Sequence, residues 1–118
     1  MSAELFRRLA KNADRFLTAC AFQAALGVAT HEAGIAPEDV KKPRRGNQNR
    51  REAATAALQE AIYLTVVHYE RPQRSVSRAI GLTQPAIHKG IRAIESRRDD
   101  PAYDRKLDEL QLTLMGAA

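Results

Sequence analysis

A three-residue turn, Gly81-Leu82-Thr83, joins two short amphipathic segments and constrains the fold of this chain more than any other feature. Glycine readily adopts the left-handed conformation that ends a helix, and threonine is a favoured N-cap for the next one. Pro85 suits the first turn of that second helix, where a missing N–H costs little. The apolar positions on either side have helical spacing: Val76, Ala79 and Ile80 before the turn, and Ile87, Ile91 and Ile94 after it. Residues 74 to 95 therefore predict two helices packed across a tight turn.

If the three isoleucines face the core, the opposite side of the second helix faces solvent. That side carries hydrogen-bond donors and no acid, namely Gln84, His88, Lys89 and Arg92. A helix seated across such a turn is the element that enters the DNA major groove in helix-turn-helix proteins. The pattern thus predicts a DNA recognition helix. An ordinary amphipathic surface helix has the same spacing and is the alternative interpretation.

The positive charge is concentrated in the middle of the chain. Residues 41–94 hold 11 basic and 3 acidic side chains, whereas residues 1–40 hold 4 and 5 and residues 95–118 hold 4 and 6. Within this region, residues 41–51 (KKPRRGNQNRR) are basic at six of eleven positions, and Pro43 and Gly46 disfavour regular structure. A solvated flexible loop is one interpretation. Its position before the helix-turn-helix favours a basic arm on phosphates or in the minor groove.

Periodicity elsewhere predicts an all-α fold, a compact bundle of five to six helices. We expect a helix over residues 3–33 that is continuous or broken near Thr18 or Gly27, a short helix starting at Pro37, a central helix over 52–69, and a last helix from Pro101. Residues 1–23 are assigned to an N-terminal helix, and residues 24–118 to a single globular unit.

The N-terminal helix has a long apolar stripe formed by Leu5, Phe6, Leu9, Ala13, Phe16, Leu17, Cys20 and Ala24. Core packing is its expected role, ahead of a ligand channel. Because the stripe is longer than one small core requires, a homodimer contact is the second interpretation. Cys20, the only cysteine, is expected to be a small core residue.

Nothing in the sequence predicts catalysis, a cofactor or a metal. The three histidines are isolated, and no Walker motif, Gly-rich dinucleotide turn or HExxH is present. There is no signal segment, and no apolar run approaches the roughly 20 residues of a membrane span. We therefore expect a non-enzymatic cytoplasmic protein.

The segment AIGLTQPAIHKGIRAIE resembles the helix-turn-helix of LysR-type regulators, although only in this local motif. Over residues 24 to 115 the chain is similar to the C-terminal DNA-binding domain (domain IV) of the replication initiator DnaA, a Trp-repressor-like fold. GIAPEDVKKPRR at 34–45 resembles that domain's short helix and basic loop, and ALQEAIYL at 57–64 resembles its Ala-Arg-Gln-x-Ala-Met-Tyr-Leu helix. The turn at Gly81 is one residue shorter than in that family.

The resemblance implies that Arg44 or Arg45 enters a minor groove and that Thr83, Gln84 and His88 lie where base-reading side chains begin. The candidate DNA-binding residues are Lys42, Arg44, Arg45, Arg50, Ser75, Thr83, Gln84, Pro85, His88, Lys89 and Arg92.

A DNA-binding domain of this type without an ATPase domain is similar to the DnaA-like part of the transcription activators of gene-transfer-agent clusters (the GafA and GafY type). The expected function is a nucleoid-associated transcription regulator that binds double-stranded DNA. It would act as an activator with RNA polymerase or a sigma-like partner, and without a membrane. The alternatives are a replication-origin-binding regulator without ATPase activity and a protein-interaction adaptor that kept the fold.

Overall fold

The computed structural model describes residues 2–41 and 48–116, and within these ranges every regular element is helical. The helices are α1 (Ala3–Ala33), α2 (Glu38–Lys41), α3 (Gln48–Val67), α4 (Gln73–Ile80), α5 (Gln84–Arg97) and α6 (Pro101–Leu114). The described residues contain no strand. The prediction of a compact all-α fold is confirmed.

Helix α3 lies at the centre of the fold and packs against α1, α2, α4 and α5. Six consecutive residues, 60–65, are buried, so nearly its whole circumference is covered there. This agrees with the predicted central helix, but α3 begins at Gln48 instead of Glu52. Gln, Arg and Glu are good helix formers, so the helix extends back into the end of the basic stretch. At the other end, Glu70 adopts a left-handed φ of 53° and turns the chain away.

Helix α1 is continuous over 31 residues, without a break at Thr18 or Gly27. It therefore runs through the expected boundary between residues 23 and 24. Ser2 caps its start, and Gly34, at φ 71°, ends it. At about 1.5 Å per residue, a helix of this length spans roughly 46 Å. The principal dimensions of the molecule are 51, 35 and 26 Å, so α1 is longer than either of the two shorter ones.

Only the second half of α1 contributes to the core. Its buried residues are Thr18, Phe22, Ala25, Leu26, Ala29 and Thr30. In the first half, Leu5, Phe6, Leu9, Phe16 and Leu17 are exposed, and Cys20 is exposed as well. Core packing was therefore the wrong expectation for this half and for Cys20. The described body buries no residue of α1 before Thr18, and Cys20 lies on the side of α1 that faces away from it.

The loop after α3 holds α1 near its midpoint. The Arg71 guanidinium donates hydrogen bonds to the Asp14 carboxylate and, at 3.0 Å, to the Thr18 hydroxyl. Between this contact and the N-terminus, none of the described residues of α1 is buried. The contact therefore marks where the free half of α1 begins.

Candidate nucleic-acid interface

Helix α5 is seated on α3 by one apolar side. Ile87 and Ile94 are fully buried and Ile91 is 5% exposed. Gly90 lies between them and faces α3, where a Cβ would lie at an ordinary contact distance of 3.6 Å from Ile62 Cδ1. The predicted i, i+4, i+7 core contacts of α5 are confirmed.

The turn before α5 is held by local hydrogen bonds. Gly81 has φ 73° and ψ 25°, as expected of a glycine that ends a helix. The Ser77 hydroxyl donates to the Leu82 carbonyl at 2.5 Å, and the Thr83 hydroxyl accepts from the Ala86 N–H at 3.3 Å. With the Leu82 side chain half-buried against the core, the position of α5 relative to α4 is well defined.

A network at the other end of α5 attaches it to α3 and α6. Arg98 donates to the Tyr63 hydroxyl at 2.5 Å and to Asp104 Oδ1 at 2.6 Å. Its hydrogen bonds with Asp104 and Tyr63 raise the pKa of Arg98 above its usual value. Both ends of α5 are thus fixed, which leaves the helix little freedom to tilt.

The side of α5 away from the core is exposed. The exposed candidates are Thr83, Gln84, Pro85, His88, Lys89 and Arg92. Residues 73–97 carry five Lys or Arg side chains and one carboxylate, Glu95. Glu95 is exposed, seven residues after His88 and so on the same side of the helix. The cationic surface therefore occupies the first turns of α5.

Ser75 differs from these candidates in its position. It lies in the first turns of α4 and is only 7% exposed. Of the candidates in the basic stretch, Lys42, Arg44 and Arg45 lie outside the described residues. The backbone of Arg50 belongs to the first turn of α3. The structure thus brings six of the eleven candidates together, at the start of α5.

Two exposed arginines on α4, Arg74 and Arg78, were absent from the candidate set. They are four residues apart and therefore lie on the same side of α4. A sequence signal for them existed: Val76 identifies the buried side of α4, and the arginines lie within the same amphipathic segment. They add to the positive charge close to the turn.

The described residues show no alternative site with metal or membrane chemistry. Within residues 2–41 and 48–116, no group of three or more His, Cys, Asp or Glu side chains is placed to hold a metal ion. None of the helices in these ranges has both the length and the apolar character needed to cross a membrane. His31 and His88 are exposed, and His68 stacks edge-on against Tyr69.

The exposed α5 surface, its fixed turn and the adjacent arginines of α4 are thus the strongest candidate site in the described chain. Comparisons with protein-family models, curated proteins and solved structures found no match to this chain.

Proposed function

We propose that this chain is a sequence-specific regulator of transcription that binds double-stranded DNA, with α4 and α5 acting as a helix-turn-helix. The supporting observation is the exposed polar and cationic side of α5, on a helix whose opposite side is fully buried. A recognition helix needs both properties, because its side chains have to reach base edges from a rigid support. The three-residue turn between the helices fits the same motif.

The side chains on α5 suit direct readout of bases. An amide such as Gln84 can make two hydrogen bonds with adenine, and Lys89 and Arg92 can donate to guanine or to phosphate. Each well-formed base contact discriminates by about 1 to 3 kcal/mol against the wrong base. Specificity is therefore assigned to the first turns of α5.

Affinity is assigned to contacts with the phosphate backbone. Arg74 and Arg78 on α4 are suitable donors, and the basic stretch 41–51, with Lys42, Arg44 and Arg45, is proposed from its composition. If roughly six phosphates are neutralised, log affinity falls with log salt at a slope near −5. A slope near zero would contradict this assignment.

Activation through a partner is proposed from the resemblance to the DnaA-like transcription activators. In this proposal, the domain places RNA polymerase or a sigma-like protein at a promoter. Immunoprecipitation of bound DNA, followed by sequencing, tests the assignment. Promoter occupancy supports it, whereas occupancy confined to replication origins would assign the chain to replication.

The central experiment uses the purified full chain and a random duplex library to select the target site, followed by binding measurements. Lys89→Glu/Arg92→Glu should lower affinity for the selected site by at least about 100-fold, since two cations become anions facing the duplex. The matched control is Arg7→Glu/Arg105→Glu, which makes the same charge change at exposed positions on α1 and α6.

The control variant should retain affinity within about threefold, since only distant, screened charges change. Equal losses in both variants would indicate nonspecific attraction. Wild-type affinity in Lys89→Glu/Arg92→Glu would overturn the proposed recognition helix. Failure of the wild type to select any DNA site would favour the protein-interaction adaptor. Gln84→Ala should relax the base preference at one position of the selected sequence. The preferences at the other positions should stay as in the wild type.

A further inference from the structure

The first half of α1 presents an apolar surface that no described residue covers. We call it the α1 stripe; it consists of Leu5, Phe6, Leu9, Ala13, Phe16, Leu17 and Cys20. The exposed fraction of its large side chains ranges from 44% for Leu5 to 68% for Phe16. Monomeric proteins seldom leave so many large apolar side chains together in water, so the stripe needs a partner.

The α1 stripe faces away from the body. Cys20 is exposed and Phe22 is 4% exposed, although only one residue separates them. Two residues correspond to about 200° around a helix, so the two side chains lie on nearly opposite sides. A molecule bound to the stripe would therefore leave the packing of α1 on α3 undisturbed.

The spacing of the α1 stripe matches helix-to-helix packing. Intervals of three and four residues alternate through Phe6, Leu9, Ala13, Phe16, Cys20 and Gln23. This is the heptad pattern of paired helices. The charged residues of this half, Glu4, Arg7, Arg8, Lys11, Asp14 and Arg15, all lie outside the heptad positions. A partner helix could therefore bind the stripe without burying a charge.

We propose that the partner is a second copy of this chain, with the two α1 helices antiparallel and the two-fold axis between Ala13 and Phe16. In this register Phe16 packs on the partner's Ala13, and Leu9 packs on the partner's Cys20. In these two layers a large side chain meets a small one, as close packing requires, and at the ends of the pair Phe6 lies against the partner's Gln23. A parallel pair would place Phe16 against Phe16 and Ala13 against Ala13, which crowds one layer and leaves a void in the next.

The area of the α1 stripe is sufficient for such a dimer. A Phe or Leu side chain carries on the order of 150 to 200 Å² of surface, so the five exposed large side chains present roughly 500 Å² per copy. Two copies bury about 1,000 Å² before the small residues are counted, which reaches the lower range of specific interfaces. We therefore expect a reversible dimer at micromolar concentrations.

A lipid surface is the other chemistry that an amphipathic helix with a basic side can bind. Lipid binding depends on total apolar area and does not require large and small side chains to be complementary across a two-fold axis. The pairing of Phe16 with Ala13 and of Leu9 with Cys20 therefore favours a helix as the occupant of the α1 stripe. The experiment includes vesicles so that the two occupants are distinguished.

Sedimentation equilibrium of the full chain, without DNA, tests the dimer. The wild type should dimerise, and Leu9→Glu/Phe16→Glu should weaken the dimer at least about 100-fold, since each copy then brings two charges into the interface. The control Lys11→Glu changes an exposed residue on the charged side and should dimerise as the wild type does. Far-UV circular dichroism should show unchanged helix content, because none of these positions is buried.

Cysteine cross-linking with oxidised glutathione tests the orientation. In the antiparallel register two Cys20 residues are about 16 Å apart along the helices, so the wild type should not cross-link. Leu9→Cys should cross-link through Cys20 of one copy and the new thiol of the other. Leu9→Cys/Cys20→Ser should not cross-link.

Cross-linking of the wild type would show a parallel pair and overturn the proposed register. A chain that stays monomeric at submillimolar concentration would overturn the dimer, as would a monomer that binds anionic phosphatidylserine vesicles through the α1 stripe. None of these outcomes depends on the DNA-binding proposal, which is tested separately with Lys89 and Arg92.

Discussion

The Tyr103 hydroxyl donates a hydrogen bond of 3.2 Å to Glu60 Oε2, joining α6 to the middle of α3. Glu60 is only 3% exposed, and Lys106 Nζ lies 4.0 Å from the same oxygen. Burial raises the pKa of Glu60 above its ordinary value, an effect that Lys106 and the Tyr103 hydrogen bond reduce without cancelling. Relative to the unfolded chain, the fold therefore shifts this carboxyl group toward its protonated form.

Glu60 should make stability depend on pH. Because its pKa is higher in the folded than in the unfolded state, its stabilising contribution is fully present below the unfolded value and is lost as pH rises through the folded value. In Glu60→Gln, which keeps an acceptor for Tyr103 and carries no charge, the free energy of unfolding at pH 7 should exceed that of the wild type. Urea unfolding of both proteins between about pH 4 and pH 7 measures this difference in the free energy of unfolding. The difference should shrink toward the acidic end, where the wild-type carboxyl group is protonated as well. A difference that grows on acidification would contradict the raised pKa.

At Gly81 there is space for a side chain, but the backbone conformation is one that residues with a side chain rarely adopt. Its φ is 73°, and a Cβ would meet nothing within 4 Å. Gly81→Ala should therefore lower the free energy of unfolding by about 1 kcal/mol through backbone strain alone. Gly81→Asn should cost less, because asparagine enters the left-handed region more readily. Thermal unfolding compares the two, and equal losses would indicate a steric cause.

Gly90 should accept one methyl group and no more. A Cβ there would lie 3.6 Å from Ile62 and 3.7 Å from Gln59, which is ordinary contact. Gly90→Ala should stabilise the protein by about 0.5 to 1 kcal/mol through helix propensity. Gly90→Leu should push α5 away from α3 and lower stability by about 1 to 3 kcal/mol. Denaturant unfolding measures both changes, and a loss of stability in Gly90→Ala would show that α5 lies closer to α3 than described.

Arg71 and Asp14 should be energetically coupled, since their ion pair joins α1 to the loop after α3. A double-mutant cycle with Arg71→Ala and Asp14→Ala should give a coupling of about 1 kcal/mol, because both side chains remain partly exposed to water. Hydrogen exchange should quicken around Asp14 and Thr18 in Arg71→Ala. The same cycle between Arg71 and Arg105, an exposed residue on α6, should give no coupling.

The helices around the turn were the most predictable part of the fold, because their signals are local. The glycine at 81, the cap at Thr83 and the isoleucine spacing of α5 specify helix ends and a buried side without reference to other elements. The start of α3 was less predictable. Pro43 and Gly46 indicated a loop over residues 41–51. The last four of these residues, 48–51, include the good helix formers Gln48, Arg50 and Arg51, and they extend α3 back to Gln48.

The buried side of α1 illustrates what local pattern leaves open. Both the side carrying Phe16 and the side carrying Phe22 are apolar, and the periodicity that placed the Phe16 side in the core selected the wrong one. Sequence by itself determined that residues 3–33 form a helix and that α5 has a polar outer side, because backbone propensity, caps and spacing act over a few residues. Tertiary structure alone decided that Phe22 is buried and Phe16 exposed, and that Glu60 lies in the core, because those outcomes depend on which elements pack against each side of a helix.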